Sequence, residues 1–395
     1  MSRTVIVDAT RTPIGKLGGM LRDLSAIDLG AHVVRTLVGR AAIEPRDIDE
    51  TYFGTAVNGS HTLVAARQVN IKGGLPPDTP SLTVDRACCS SMTAIALGDM
   101  RIRAGEAGIV LAGGIESCSN APFLQRGVRW GRRLGDFTIE DPLQFRNPIN
   151  GMPLARVTGE VALANGVDRE QQDDWALQSH QRFFTALDRG YFDGEIAPVV
   201  VKGAGQEQNC ETDEAPRRNL RREKLAELPV VYQSPTVTAG NAPGLNDGAS
   251  VTLLMSVDQA RKREMTPLCE IVGHVQLAGA LDSSPVLPGK AIAALLRKAD
   301  VKLSEVKRIE INEAFAVMPL VSTKFLADGD NALLRRLREM TNVNGGAVAI
   351  GHPTGASGAR ISMTVARSVR EAGGGYGIAA ICGGFGQADA LLVKV

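Results

Sequence analysis

The chain has 395 residues, 44% of them hydrophobic and 22% charged, with a formal net charge of +1. This size is enough for two or more domains, and the balanced charge argues against partnership with nucleic acid or a membrane surface. The six cysteines show no CxxC zinc pattern and no dense disulfide framework, so we expect a reducing, cytoplasmic setting and no metal site. The amino terminus reads as a strand rather than a secretory signal, and no apolar run reaches the ~20 residues that span a bilayer.

The first part of the chain predicts strands that alternate with helices. An apolar-periodic helix is expected from the turn at Cys88 to about Ala104, where apolar residues recur at helical spacing. The flanking apolar runs predict strands over 48–54, 81–84 and 108–114.

The middle of the chain has a different composition. Residues 119–249 are richer in Arg, Asp, Pro and Gln, with helical spacing over 171–187 and a polar, loop-like stretch over 203–219. Long excursions of this kind are usually functional lids or binding loops. We therefore interpret 119–249 as an inserted loop domain.

The last part of the chain repeats the order of the first. A strand is expected over 306–313, then a glycine-rich turn, a helix over 353–372 and a strand over 377–384. Two similar α/β halves follow, one formed by residues 1–118 with about 250–270 and the other by 271–395. Apolar runs alternating with helices predict parallel sheets covered on both faces.

The glycine-rich turn over 342–358 holds His352, one of only five histidines. Pro353 suits the first turn of a helix, and imidazole has an unperturbed pKa close to neutral pH. A histidine held rigidly at a helix start is either a general base or a structural turn residue, and the segment alone does not decide between them.

Three further residues lie at strand-to-turn junctions. Cys88 precedes a helix whose positive end favours a thiolate, although buried cysteines are commonly inert core residues. Cys382 precedes glycines that would leave backbone N–H groups free as donors, and it too has a core interpretation. In the segment Asn312-Glu313, the asparagine is either a site residue or a helix cap, and the glutamate could be a first-turn acid. The repeated order places Cys88, Asn312, His352 and Cys382 at equivalent junctions, where they would face one site.

At these residues the sequence resembles the thiolases, the acetyl-CoA C-acyltransferases, over essentially its whole length. The segments that carry the resemblance are 8–15, Cys88-Cys89-Ser90-Ser91, 113–117, 238–241, 246–249, Asn312-Glu313-Ala314-Phe315-Ala316, Gly351-His352-Pro353 and Cys382-Gly383-Gly384. The resemblance implies a thiolase-like fold, in which two α/β halves stack as α-β-α-β-α layers. It also implies a homodimer or homotetramer, with a hetero-complex as a further option, and coenzyme A as a substrate rather than a tightly bound cofactor.

The resemblance also implies a role for each motif residue. Cys88 would carry the acyl group, His352 would take the thiol proton, and Cys382 would move a proton at the substrate α-carbon. Asn312, through a water, and His352 would stabilise one thioester oxygen. The backbone N–H groups of Cys88 and Gly384 would stabilise the other, as preorganised donors do for a developing oxyanion.

The resemblance places binding of CoA and the acyl group at Arg126, Leu154, Ala155, Arg156, Ala242, Pro243 and Phe315. The sequence departs from the family at Asp85 (usually Asn), Cys89 (a small residue), Ser91 (Gly), Pro243 (often Ser) and Leu154-Ala155-Arg156 (His-Met-Gly). Arg156 could hold a substrate carboxylate, or it could face solvent or pair with Glu160 at i+4 spacing. Because exposed arginines are common, the second interpretation is favoured.

The sequence therefore predicts cleavage of a 3-oxoacyl-CoA by CoA, or the reverse condensation, through an acyl-Cys88 intermediate. A large, branched, aromatic or carboxylated acyl group is one hypothesis for the substrate. Two alternatives stay open, a decarboxylating ketoacyl-synthase-like enzyme and an acyl-CoA-binding subunit of a complex. The sequence leaves open the acyl chain, the physiological direction and the oligomer size.

Overall fold

The structure is a computed structural model that describes residues 2–57, 63–147, 149–203 and 206–395. Its strands are β1 (Thr4–Arg11), β2 (Gly15–Lys16), β3 (Glu50–Gly54), β4 (Ser81–Val84), β5 (Ile109–Ser117), β6 (Leu124–Gln125), β7 (Ile139–Glu140), β8 (Val199–Gly203), β9 (Gln206–Cys210), β10 (Asn246–Ser256), β11 (Cys269–Ala278), β12 (Val306–Ile311), β13 (Tyr376–Gly383) and β14 (Gln387–Lys394).

The helices of these ranges are α1 (Ala26–Arg40), α2 (Ala65–Gly73), α3 (Ser90–Arg103), α4 (Leu154–Ala164), α5 (Arg169–Asp188), α6 (Arg222–Ala226), α7 (Val257–Lys262), α8 (Leu287–Ala299), α9 (Val317–Ala327), α10 (Asn331–Met340), α11 (Ala347–Ile350) and α12 (Ser357–Glu371). Short 3₁₀ turns cover Pro45–Asp47, Pro142–Gln144, Leu303–Glu305 and Thr354–Ala356.

The main strands follow one order, β12-β13-β14-β11-β1-β10-β5-β3-β4. The order contains the same arrangement twice, because β11, β14, β13 and β12 occupy the places that β1, β10, β5 and β3 occupy in the other half. The two arrays meet at β1 and β11 over two residue pairs, Val5 with Glu270 and Ile6 with Cys269. The counterpart of β4 is a single parallel bridge between Ile309 and Thr341. The repeated order of elements is therefore present in the fold.

Five layers stack as helix, sheet, helix, sheet, helix, as predicted. Helices α3 and α12 pack against each other between the two arrays, while α1 and α2 cover one outer face and α8, α9 and α10 cover the other. Gly358 permits the close approach of the central helices, since a Cβ there would lie 2.5 Å from the backbone nitrogen of Met92. One apolar core lies beneath each outer helical layer, and a third surrounds the central helices between the two arrays. The central pair of helices thus carries its first turns, and the residues just before them, to one place between the halves.

The prediction of parallel sheets is wrong for part of each array. Strands β3, β4 and β5 run parallel, as do β12 and β13, but β10 and β14 are antiparallel to their neighbours. The turn between β13 and β14 has only three residues, Gly384, Phe385 and Gly386. A parallel connection needs a crossover of a dozen residues or more, so this short turn forces an antiparallel pair.

The excursion between β5 and β10 contains more regular structure than the sequence predicted. Helix α5 covers the predicted 171–187 helix, but the stretch expected to be a polar loop contains β9, which pairs with β8. Alternate residues of β8, Val199 and Val201, are buried in the core beneath α1, and this buried face explains the ladder. Before these elements, the β6–β7 pair carries exposed apolar side chains, with Trp130 and Leu134 at least 90% exposed.

Candidate active site

Cys88 lies in the tight turn between β4 and α3. The turn is held locally, since Ser90 Oγ accepts from the Arg86 N–H at 2.8 Å and donates to the Ala87 carbonyl at 2.6 Å. Ala87 has a positive φ of 50°, a conformation that is strained for a residue with a Cβ. Such strain is typical of residues that must present a neighbouring side chain in a fixed direction, here the thiol of Cys88.

His352 lies in the equivalent turn of the other half. Gly351 before it has a φ of 113°, and a Cβ there would lie 2.6 Å from Ile14. The His352 N–H donates to Asn246 Oδ1 at 2.8 Å. The predicted helix over 353–372 begins later than expected, because Thr354–Ala356 forms a 3₁₀ turn and α12 starts at Ser357. His352 is therefore fixed by its backbone one turn before the helix.

Glu313 fixes the chain before His352. Its buried carboxylate accepts from Trp175 Nε1 at 2.8 Å and from Ser179 Oγ at 2.9 Å, both on α5. It also accepts from Asn342 Nδ2 at 2.8 Å and from the Val348 N–H at 3.0 Å. The interpretation of Glu313 as a first-turn helix acid is wrong, because α9 begins only at Val317; the carboxylate instead binds the glycine-rich turn.

Glu116 fixes the chain after His352. This buried carboxylate at the end of β5 accepts from the Gly355 N–H at 2.8 Å and from the Thr354 hydroxyl. From its own half it accepts from the N–H groups of Ala56 and Val57 at 3.0 and 3.1 Å. One carboxylate thus ties the His352 turn to the end of β3 in the other half.

The thiol of Cys88 faces the imidazole of His352, with Sγ 3.2 Å from Nε2. On the other side of the ring, Nδ1 lies 2.7 Å from Ser357 Oγ, and that hydroxyl donates to the Pro353 carbonyl at 3.0 Å. Because the serine proton is used on the carbonyl, Ser357 accepts from Nδ1–H, which assigns the tautomer from the network. The unprotonated Nε2 then points at the thiol, as a general base requires.

Both members of this pair are neutral in the absence of substrate. Burial, with a contribution from Arg360, lowers the pKa of His352 to about 3. Burial raises the pKa of the Cys88 thiol above its ordinary value, and the charges of Cys382 and Glu116 add to that effect. The expectation that the helix terminus would favour a Cys88 thiolate is therefore wrong, because desolvation outweighs the helix dipole.

Asn312 comes directly after β12 and is fully buried. Its Nδ2 lies 3.4 Å from His352 Nε2, and its Oδ1 accepts from Arg360 Nη2 at 3.5 Å. Asn312 therefore does not cap a helix; its amide N–H is directed to the unprotonated Nε2 of His352.

Cys382 and Gly384 come from the end of β13 and the turn that follows it. The Cys382 thiol is buried and its Sγ lies 3.8 Å from Met318 Sδ. Burial raises the pKa of Cys382 to about 12. The backbone N–H groups of Cys88 and Gly384 act on the Cys88 sulfur and partly offset the rise in its pKa. The structure thus brings Cys88, His352, Asn312, Cys382 and Gly384 together.

The residues predicted to cover the acyl group open helix α4. Leu154 is half-buried and Ala155 is buried. Arg156 Nε donates to Glu160 Oε1 at 2.9 Å, and its Nη1 contacts Gln233 Oε1 at 3.4 Å. This pairing of Arg156 with Glu160 is the second of the two interpretations that the sequence offered for Arg156, the one without a substrate carboxylate.

The remaining predicted binding residues lie in three places. Ala242 and Pro243 are half-buried in the segment before β10. Phe315 is half-buried and packs against two apolar cores, and the next residue, Ala316, donates its N–H to the Asn241 carbonyl at 2.9 Å. Arg126 is exposed beside strands β6 and β7 and forms an ion pair with Glu140 at 2.8 Å. This ion pair holds the Arg126 side chain at the two strands, away from the buried thiols.

Sequence reasoning missed several residues that hold the site. Ser357 lies five residues after His352, within the glycine-rich segment, and its hydroxyl spacing could have suggested a partner for the ring. Ser91 stands where the resembling family has glycine, and its Oγ accepts from the Ala359 N–H at 3.0 Å, which links the two central helices. Glu116 and Arg360 carried no local signal, because their partners are distant in sequence.

These groups can support nucleophilic and acid–base chemistry on a carbonyl compound. A thiol faces a neutral base at hydrogen-bond distance, a second thiol lies nearby, and amide and backbone N–H donors lie beside the pair. Among the described residues, no group of His, Cys, Asp or Glu is arranged to hold a metal ion. None of the described helices combines the length and apolar composition needed to cross a membrane.

Comparison with protein families covers almost the whole chain. Residues 4–258 match the family described as "Thiolase, N-terminal domain", and residues 265–395 match "Thiolase, C-terminal domain".

Individual relatives match over their full length. The human mitochondrial 3-ketoacyl-CoA thiolase is 37% identical over 98% of this chain and 97% of its own, and a probable acetyl-CoA acetyltransferase of Mycobacterium leprae is 36% identical over 100% of both chains. The crystal structure of Bacillus anthracis acetyl-CoA acetyltransferase superposes with a TM-score of 0.95, at 35% identity, covering 100% of this chain and 99% of its own. The human enzyme in complex with CoA superposes with a TM-score of 0.93, at 37% identity, covering 100% of this chain and 98% of its own.

Proposed function

The chain belongs to the thiolase family and is an acyltransferase of acyl-CoA metabolism, and we propose that it cleaves a 3-oxoacyl-CoA through an acyl-Cys88 intermediate. The observation that carries this proposal is the Cys88 thiol, 3.2 Å from an imidazole nitrogen whose tautomer leaves it unprotonated. CoA is the second substrate in this proposal.

In the first half-reaction, Cys88 Sγ attacks the 3-oxo carbon while His352 Nε2 takes the thiol proton. The bond between C2 and C3 of the substrate then breaks, and its electron pair forms the enolate of acetyl-CoA. Cys382 donates its thiol proton to that α-carbon, so acetyl-CoA leaves and the acyl group stays on Cys88. Because both thiols are buried and neutral, each proton transfer is coupled to bond formation rather than completed in advance.

In the second half-reaction, the thiol of CoA gives up its proton and attacks the Cys88 thioester, which releases the shortened acyl-CoA and the free thiol. The proton of CoA replaces the one that Cys382 lost, directly or through the site. Asn312 and His352 stabilise the thioester oxygen of the enolate. The N–H groups of Cys88 and Gly384 stabilise the oxyanion at the carbon bonded to Cys88. Donors of this type can each contribute ~3–4 kcal/mol to the transition state.

The residues 119–249 would provide the surface for CoA and the acyl group. A cleft of about 310 Å³ is lined by Arg146, Asn150, Gly151, Met152, Pro153, Arg156, Tyr232 and Gln233. Ala155, next to the cleft, stands where the family has the larger Met, which supports an acyl group bulkier than acetyl. The two arginines support a carboxylated acyl group as the most specific form of this proposal.

Thiolysis rates across short, long, branched, aromatic and dicarboxylic 3-oxoacyl-CoAs test the reaction and the acyl group together. For a carboxylated substrate we expect Arg156→Ala to lose at least tenfold in kcat/KM, which equals ~1.4 kcal/mol, with no matching loss on acetoacetyl-CoA. Glu160→Gln frees the guanidinium from its partner and should have the opposite effect. Equal behaviour of both variants on both substrates would leave Arg156 as a surface residue. An absence of thiolysis with every substrate would refute the proposed reaction.

A homodimeric or homotetrameric assembly and a cytoplasmic location stay predictions of the sequence. Sedimentation equilibrium of the purified chain would determine the assembly, and fractionation of cells would determine the location.

A further inference from the structure

Arg360 is an unusual residue in this structure, because its guanidinium is buried and forms no ion pair with any residue that the structure describes. It lies on α12 with 2% exposure, and its one hydrogen bond among the described residues goes from Nη2 to Asn312 Oδ1 at 3.5 Å. Its Nε and Nη1 have no partner among those residues. Burying a charge without pairing it is costly, so the position calls for an explanation.

The place of Arg360 on its helix suggests one. Arg360 follows Ser357 by three residues, so both side chains project from the same face of the first turn of α12. Ser357 accepts from His352 Nδ1, and Arg360 donates to Asn312 Oδ1. Asn312 Nδ2 in turn lies 3.4 Å from His352 Nε2. One turn of helix therefore contacts both of the polar groups that face Cys88.

We infer that Arg360 is a positioning residue for the proposed acyl transfer, which orients the Asn312 amide beside His352. With a cation behind Oδ1, the amide presents Nδ2 to the site and cannot turn its oxygen there. The same positive charge disfavours an imidazolium, so His352 remains a base. The expected effect of Arg360 on turnover rests on the proposed function, whereas its expected effect on the alkylation of Cys88 does not.

The charged groups around Arg360 are consistent with this role. Carboxylates of Glu310, Glu195 and Glu313 act on the guanidinium from β12, from the segment before β8 and from the end of β12, and Arg11 opposes them. Glu310 lies two residues before Asn312 and hence on the same face of that strand. Its Oε2 has no described partner. Burial raises the pKa of Glu310 to about 8, so near neutral pH this side chain is mostly protonated and does not take the hydrogen bond that goes to Asn312.

The groups that face His352 come from four elements. Among them, Arg360 is the charged group that lowers the pKa of His352. Cys88 lies before α3, Asn312 follows β12, and Ser357 and Arg360 belong to α12, while Asn246 of β10 bonds the backbone of His352. The charges with the largest effect on the Cys88 thiol are instead those of Cys382 and Glu116. Removal of Arg360 should therefore make it easier for His352 to take the Cys88 proton at rest.

Removal of Arg360 should change the turnover rate and the rate of Cys88 alkylation in opposite directions. Arg360→Met, combined with Glu310→Gln so that the neighbouring buried carboxyl cannot ionise, should lower kcat about tenfold or more, because Asn312 loses its orientation. KM for CoA and for the 3-oxoacyl-CoA should change less than about threefold. The rate of Cys88 alkylation by iodoacetamide at pH 7 should rise several-fold, since the thiolate–imidazolium pair becomes more populated and one pKa unit is a tenfold change.

Two further variants separate charge from geometry. Arg360→Lys keeps the charge but loses the planar donor fork, so its alkylation rate should stay near wild type while kcat falls. Arg367→Met, on the same helix, removes an arginine that bonds the Ala9 and Gly194 carbonyls, and it should change neither kcat nor alkylation by more than about twofold.

A parallel loss of turnover and of alkylation in the Arg360→Met, Glu310→Gln protein would overturn the inference. Unchanged values of both would overturn it as well. Either result is what a purely structural role of Arg360 predicts. A wild-type protein that is inactive on every 3-oxoacyl-CoA would refute the proposed function. The alkylation rates would still decide whether Arg360 controls the state of His352.

Discussion

The turns that carry Cys88 and His352 occupy equivalent places in the two halves but are held in different ways. The backbone of the Cys88 turn is short and is held mostly by local bonds with the hydroxyl of Ser90. One side chain of the turn, Arg86, pairs with Asp389 of the other half at 2.6 Å. The His352 turn is long and is fixed by two carboxylates from distant parts of the chain, Glu313 and Glu116. The turn of the candidate nucleophile is therefore held mainly by neighbouring residues with one long-range ion pair, whereas the turn of the candidate base is held by two distant carboxylates. Substitutions remote from His352 should reach the base more readily than they reach the nucleophile.

Removal of the base should give the largest difference between the turns. With His352→Gln, we expect acylation of Cys88 by acetyl-CoA to fall ~10²–10⁴-fold, because the thiol loses the group that takes its proton. Release of CoA in a single turnover and the mass of the acylated protein measure this rate. Cys382→Ser is the comparison, since it should acylate far better than it cleaves or condenses. Near-wild-type turnover of Cys382→Ser in both directions would refute the division of roles.

Glu116 tests the long-range support of the His352 turn. Glu116→Gln places an amide donor against N–H groups that need an acceptor, so we expect a loss of about 1–3 kcal/mol in the free energy of unfolding. We also expect a roughly tenfold or greater fall in kcat, as the turn shifts.

Ser90→Ala provides the matched change in the Cys88 turn. It removes the two bonds within the turn and a long contact of 3.5 Å to the Thr55 carbonyl, and it should cost about 1 kcal/mol of stability with a change in kcat of a few-fold. Urea unfolding and steady-state kinetics of the two variants measure the contrast. A larger catalytic defect for Ser90→Ala than for Glu116→Gln would contradict the difference drawn between the turns.

Ser357 tests the tautomer of His352. Ser357→Ala removes the acceptor for Nδ1–H, so the ring can exchange its proton between the two nitrogens, and we expect kcat to fall roughly tenfold. Ser357→Thr keeps the hydroxyl and should retain more activity than Ser357→Ala. Nitrogen chemical shifts of His352 in the two variants report the tautomer directly, and an unchanged Nδ1–H form in Ser357→Ala would rule out this role for the serine.

The change with the smallest effect on catalysis concerns stability in acid and compares His352 with a second buried histidine. Burial lowers the pKa of His180 to about 4 and that of His352 to about 3, from an ordinary 6.5. Below pH 6.5 the unfolded chain binds protons that the folded chain does not. The free energy of unfolding therefore decreases as the pH is lowered, until the pH drops below the folded-state pKa of each histidine. The slope should be ~1.4 kcal/mol per pH unit for each histidine.

His180→Gln should therefore reduce the loss of unfolding free energy between pH 6.5 and pH 4.5, without altering the reactivity of Cys88. His180 Nδ1 accepts from the Arg217 N–H at 3.0 Å, so the glutamine also tests whether that bond can be kept. Urea titrations at the two pH values measure the slope, and an identical slope in wild type and variant would contradict the assignment.

The fold was predictable from the sequence to the extent that its information is local. Apolar periodicity gave helix α3 and strand β13 within a few residues, and the repeated order of elements gave the two halves. The direction of β14 was not predicted, because it depends on a three-residue turn that breaks the βαβ pattern. Strand β9 was also missed, since its polar sequence pairs with an apolar strand and lacks a pattern of its own.

The candidate site shows the same limit. Cys88, Asn312, His352 and Cys382 each lie at a junction that the sequence marks, so their convergence could be proposed in advance. The protonation state of the Cys88 thiol was predicted wrongly. The sequence around a helix start does not indicate how strongly the assembled core will desolvate the thiol. The roles of Glu116 and Arg360 depend on partners more than 40 residues away, which no local pattern indicates.

The central claim, that Cys88 carries the acyl group, is tested most directly by trapping the intermediate. Brief incubation with acetyl-CoA, acid quenching and peptide mass mapping would locate the acetyl thioester, with Cys88→Ala as the control. The account predicts a single acetyl group on Cys88, its absence in Cys88→Ala, and strong suppression in His352→Gln. Acetyl on Cys89 or Cys382 as the main site, or an acetyl-enzyme that persists in Cys88→Ala, would contradict it.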